Sequence, residues 1–301
     1  MGWLNALPGA IAQGIIWGIM AIGVYITYKV LDIADLTVDG SICTGAAVCT
    51  MLVISGVNVW LAMLAALAAG MAAGLLTGVF HTFMGIPAIL AGILTQLILW
   101  SVNLKILGKA NQALPARNFY VLVTQLKKTQ TLLVLAAVCI VLIAVLYWFF
   151  GTELGSSIRS TGCNISMSRA QGINTDFNKI LGLMLSNGIV ALAGALLAQY
   201  QGSADINMGR GAIVIGLAAV IIGEAVFSRI SRNFIVRLLG VICGGIIYYI
   251  VYQTVIFFGL DTDLLKMLSA IVVAFFLAVP YWKTKYFSKG RRKGDGGNAG
   301  A

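Results

Sequence analysis

Long apolar runs, broken by short polar clusters, set the rhythm of this chain. Segments 8–30, 40–56, 58–80, 87–103, 131–150, 179–200, 211–227, 236–256 and 265–282 are each almost continuously apolar. A helix needs about 20 such residues to cross a bilayer core. The pattern therefore predicts an all-α polytopic membrane protein with about nine transmembrane helices. Two of the runs, 40–56 and 211–227, are dotted with glycine and preceded by acids, which predicts broken helices and a probable inverted repeat.

Composition narrows this further. Of 301 residues, 60% are hydrophobic and only 10% charged, with mean hydropathy +0.96. Soluble domains carry roughly 25% charged and about 45–50% apolar residues. A soluble enzyme, a disordered chain and a disulfide-rich secreted module are excluded, and nine spans leave no room for a soluble catalytic domain. The formal charge of +10 is what basic cytoplasmic loops produce and implies no nucleic acid. Lys283, Lys285, Lys289, Arg291, Arg292 and Lys293 place the C-terminal tail in the cytoplasm. An odd number of spans then puts the N-terminus outside. Thirteen basic residues fall on the cytoplasmic side of this arrangement and seven on the other. The membrane domain covers 1–285, followed by a basic and then Gly-rich tail at 286–301. No cleavable leader is expected, because the uncharged N-terminus runs directly into a long span.

Candidate chemistry is sparse. Cys43, Cys49, Cys139, Cys163 and Cys243 form no CxxC pair, and His81 is the single histidine, so no metal-ligand set is expected. No phosphate-binding Gly-x-x-x-x-Gly-Lys-Ser/Thr loop occurs, so any ATP-driven motor must be another chain. Two loops are long enough to have a role. The external one, 104–130, predicts a short helix lying on the membrane surface or docking a partner. The cytoplasmic one, 151–178, is polar.

Residues 32–45 carry Asp32, Asp35 and Asp39 at the mouth of an apolar segment broken by Gly40 and Gly45. Asp39 has two readings: a cap on the first amides of span 40–56, or part of a broken helix lining a substrate path. Residues 205–224 repeat the pattern of acid, polar-glycine cluster and glycine-dotted run, in a span of opposite direction. Thr37, Asp39, Gly40, Gln96, Asn187 and Gly211 are the candidate path residues, with interhelical hydrogen bonding the alternative for Gln96 and Asn187. Small-residue stretches at 65–74 and 191–198 predict close helix packing. Glu224 is expected to pair with Arg229.

Residues 152–174, Thr-Glu-Leu-Gly-Ser-Ser-Ile-Arg-Ser-Thr-Gly-Cys-Asn-Ile-Ser-Met-Ser-Arg-Ala-Gln-Gly-Ile-Asn, resemble the cytoplasmic loop of ABC importer permeases of the branched-chain amino acid and ribose type. Leu154, Gly155, Ile158, Arg159, Gly162, Asn164, Ala170, Gly172, Ile173 and Asn174 fall on that family's pattern, and Ser160 departs from its usual Ala. The stretch Asp35-Leu36-Thr37-Val38-Asp39-Gly40-Ser41 resembles the tryptophan/tyrosine-type and uncharacterised subgroup. The resemblance reaches to about residue 285. It implies a non-enzymatic transport subunit in the plasma (inner) membrane that works as a homodimer in membrane lipid. Its partners would be two ABC ATPase subunits and an external substrate-binding lipoprotein. No cofactor is implied on this chain, with ATP and Mg on the partner. The ATPase-coupling segment would include Arg159, Gly162, Asn164, Arg169, Ala170, Gly172 and Asn174. The implied substrate is a small polar solute, most readily an amino acid, with aromatic ones among the candidates and a sugar or nucleoside as the alternative. A secondary transporter from another class would bury an acid or cation in mid-span for ion coupling, whereas these acids cluster at span ends.

Overall fold

The computed structural model describes residues 2–115, 119–227 and 233–257, with Met267, Ile271, Ala274 and Ala278 as single helical positions beyond them. The predicted span 265–282, apart from those positions, and the basic tail lie outside the described residues. So do Arg117, Arg229 and Arg232.

Eight predicted spans correspond to helices: α1 (Gly2–Tyr25), α2 (Val38–Ile54), α3 (Val59–Thr82), α4 (Ala88–Leu107), α5 (Lys128–Gly151), α8 (Thr175–Gln201), α9 (Ala212–Phe227) and α10 (Phe234–Phe257). Six of these segments are long and apolar enough to cross a membrane, α1 being extended by a π-helical turn, Ile26–Val30. α2 and α9 are apolar but shorter. Two further helices, α6 (Glu153–Cys163) and α7 (Ile165–Ala170), occupy the predicted cytoplasmic loop.

Burial divides the helices by role. α1, α2 and α8 are enclosed, while α5 is apolar all round and leaves Leu133, Ile140, Val141, Val145 and Trp148 exposed. A helix apolar on every side yet exposed is one solvated by lipid. The enclosed helices approach backbone to backbone, as the small-residue stretches predict. A Cβ added at Gly45 would fall on the Ala191 carbonyl, and one at Gly194 on that of Ile42. Gly70 and Gly74 meet the carbonyls of Asn187 and Leu183 in the same way. Without a hydrophobic force between helices in lipid, such close contact supplies the packing energy.

The contacts also fix direction. Ser186 Oγ donates to the Gly23 carbonyl at 2.8 Å and the Tyr200 hydroxyl to that of Gly9 at 3.3 Å, so α1 and α8 are antiparallel. Ser41 meets Asn187 and Cys49 meets Gln199, so α2 runs parallel to α8. α10 is antiparallel to both α1 and α9, through Gly14 against Ile246 and Gly223 against Gly240. It follows that α2 and α9 run in opposite directions.

The segment between α1 and α2 reverses the chain inside the bundle. Asp32, at φ 56, is the non-glycine residue with positive φ among those described. Leu31, at that reversal, packs on Gly182 of α8.

Loop 104–130 departs from expectation. The described residues between α4 and α5 hold no helix; Asn111–Ala113 (β1) pairs antiparallel with Ser203–Asp205 (β2). Ala204 packs with Ala46, Ala47, Leu107 and Ala198. The stretch 119–127 is irregular, held by the Leu122 amide on Gln199 Oε1 and by Thr131 on the Thr124 carbonyl.

Candidate functional site

Asn187 stands at the midpoint of α8, and Asp35 and Ser41 meet it there. Its Nδ2 donates to Asp35 at 2.7 Å, and its Oδ1 accepts from Ser41 at 2.6 Å. Asp35 also takes the Thr37 amide at 2.9 Å. Thr37, Thr77 and Thr95 continue the chain of hydroxyls into α3 and α4 at 2.7 and 2.9 Å. Asp35 is fully buried and in no ion pair among the described residues. The expectation that the acids sit at span ends is therefore corrected for Asp35, which the reversal after α1 carries into the bundle, while Asp32 stays exposed.

Asp39 is corrected too. It stands in the first turn of α2 but caps the other short helix: Oδ2 accepts the Gly211 amide and Oδ1 the Ile213 amide, both at 2.9 Å. The N-cap position of α2 itself is Thr37, whose side chain makes no capping bond. The turn 206–211 makes this geometry, packing Gly209 against Asp39, Ile42 and Cys43 and bending at Gly211, φ +84. Two shorter helices, of 17 and 16 residues, thus start side by side, with a carboxylate where their positive ends converge. Broken helices of transporters present their N-termini to substrate in this manner.

Thr37, Asp39, Gly40, Asn187 and Gly211 are brought together here. Gln96 lies alongside, its backbone close to Gly40. Arg210, which sequence reasoning did not single out, is exposed in the turn beside the clasp. Only the long-range Asp39–Gly211 contact brings that turn to α2, and no local motif encodes it.

At the end of the bundle lies the α6–α7 unit. Asn164 caps α7 through the Met167 amide at 3.0 Å, and Asn174 caps α8 through the Asp176 and Phe177 amides at 3.2 and 3.1 Å. Gly172 turns the chain at φ +79. Arg169 donates to Thr175 at 2.9 Å and lies 3.4 Å from Asp176. Ser160 and Ser168 join the two helices at 2.9 Å, and Gly162 packs on the Val30 carbonyl. Asn164, Arg169, Ala170, Gly172 and Asn174 are exposed. Sequence reasoning missed Ile165, Met167 and Phe177, apolar side chains left 42–59% exposed on the same unit. Arg159 departs from this group. Its guanidinium lies over the rings of Phe234 and Phe150, 4.4 and 5.2 Å from their centroids. Glu224 pairs with Lys29 at 3.0 Å; its expected partner Arg229 lies outside the described residues.

A multi-pass bundle with two shorter paired helices and a capped helical turn at one end suits a transport subunit. The chain belongs to the family described as branched-chain amino acid transport system / permease component, which it matches over residues 7–280. It is 38% identical over 277 residues to a tyrosine transport system permease protein of Clostridioides difficile, covering 91% of each chain. An uncharacterized protein of Rickettsia prowazekii is 32% identical, over 90% of this chain and 96% of its own. The autoinducer 2 import system permease protein LsrC of Escherichia coli is 29% identical over 58% of this chain and 50% of its own. No solved structure matches.

Proposed function

We propose that this chain is the translocation subunit of an ATP-driven amino-acid importer, with tyrosine or a related aromatic amino acid as substrate. The observation that carries the coupling part is the α6–α7 unit: a capped, exposed helical turn with Ile165, Met167 and Phe177 uncovered. An apolar patch rimmed by polar residues marks a protein-binding surface. Two ATPase subunits, holding ATP and Mg, dock there on a homodimer of the permease, which places this end in the cytoplasm. An external binding lipoprotein delivers substrate to the opposite end.

The substrate reading draws on the Clostridioides difficile relative's name and on the clasp. Exposed Arg210, beside the clasp whose helix ends Asp39 already meets, is a cation suited to the carboxylate of a zwitterion. ATP closure moves α6 and α7, and α6 presses through Gly162 on the chain reversal that leads to α2. Membership of this family disfavours an ion-coupled secondary transporter, although Asp35 is buried in mid-bundle.

Reconstitution in vesicles with its ATPase and binding protein tests the reading. Tyrosine uptake should require ATP and outcompete ribose and nucleosides. Uptake that follows a proton or sodium gradient without ATP refutes the importer, and competition by a sugar refutes the substrate.

A further inference from the structure

A cavity of about 820 Å³ opens where the π-helical end of α1 meets α5, α6 and α10. We propose that it binds the phosphate headgroup of an anionic phospholipid.

Its charge is the first argument. Lys29, Arg159 and Arg237 line it. Lys29 is matched by Glu224, whereas Arg159 and Arg237 have no carboxylate partner among the described residues. Two cations in excess at the edge of an apolar bundle call for an anion.

Arg159 is also prepared for one. Phe234 and Phe150 hold its guanidinium by their faces, which fixes the group while its edge donors stay available. Its Nε is buried without an acceptor. An orphaned charged donor is costly and becomes favourable once a phosphate oxygen meets it.

The surroundings point to lipid rather than a free anion. Tyr147 and Trp148 line the same cavity from α5 and are 53% and 71% exposed, as aromatic side chains at a membrane–water interface are. Val141 and Val145 continue the exposed apolar face of α5 away from the cavity, a surface for acyl chains. Basic pockets between membrane helices hold phospholipid headgroups by this combination. Arg159 belongs to α6, so a bound headgroup braces α6 against α10 and thereby the α7 turn. Assigning the lipid to the cytoplasmic leaflet rests on the coupling reading above; the binding itself does not.

Native mass spectrometry of the purified chain in neutral detergent tests this, with phosphatidylglycerol against phosphatidylcholine. Phosphatidylglycerol should be retained preferentially, and Arg159→Gln and Arg237→Gln should each weaken it about tenfold or more. Arg210→Gln, at an exposed turn outside the cavity, should not. Equal retention of the two lipids by the unmodified chain overturns the proposal even if the variants fail to fold. Folded variants that keep phosphatidylglycerol overturn it as well. Displacement or equal stabilisation by millimolar inorganic phosphate makes this a free-anion site and overturns the lipid assignment.

Discussion

Replacing Asp39 by Asn leaves one acceptor oxygen where the protein uses two. In the native clasp Oδ2 holds the Gly211 amide and Oδ1 the Ile213 amide. An amide side chain keeps one bond and turns an NH2 toward the other donor. The lost bond involves a charged acceptor, worth about 1.5–3 kcal/mol. The lost charge removes a favourable interaction with the α9 N-terminus, about 0.3–1 kcal/mol. The total is roughly 2–4 kcal/mol, or several degrees in melting temperature. Asp39→Ala should cost more than Asp39→Asn. Hydrogen exchange reads the effect locally: the Gly211 and Ile213 amides should exchange at least tenfold faster in Asp39→Asn, since each 1.4 kcal/mol is a factor of ten, while amides in α5 keep their rates. Unchanged exchange at 211–213, with a melting temperature equal to the native chain's, would refute the clasp.

Further outcomes follow from other contacts. Gly45→Val drives a side chain into the Ala191 carbonyl and should cost about 3 kcal/mol or more, seen as loss of monodisperse protein on size exclusion; Gly56→Ala, at φ +82 in open space, should cost only about 1–2 kcal/mol. Arg169→Glu breaks an exposed pair worth under about 1 kcal/mol, so it should leave folding intact while abolishing substrate-stimulated ATP hydrolysis by the assembled importer. Arg210→Gln should raise the KM for uptake of an amino acid more than it changes expression, and an unchanged KM removes Arg210 from the path. Cys163 is the exposed cysteine, and an impermeant maleimide should reach it in inverted vesicles only; labelling from outside intact cells would invert the proposed topology.

The class of molecule and eight of the helices are determined by the sequence itself, because lipid imposes a one-dimensional rule. Any run of about 20 apolar residues must become a helix and satisfy its own backbone, so composition along the chain suffices. The α6–α7 segment stands out in the sequence through its family resemblance, and its caps are local: Asn164 and Asn174 accept amides within three positions of themselves. Only the tertiary structure decides where the chain reverses within the membrane. A count of apolar residues does not distinguish a polar stretch at the surface from one buried against Asn187, so Asp35 and Asp39 read as span-end acids. Asp39 and its two amides are more than 170 residues apart in sequence. Lys29 reaches Glu224, and Arg159 its two phenylalanines, in the same way. Helix formation is a contest between neighbours along the chain, and such contacts depend on how finished helices stack.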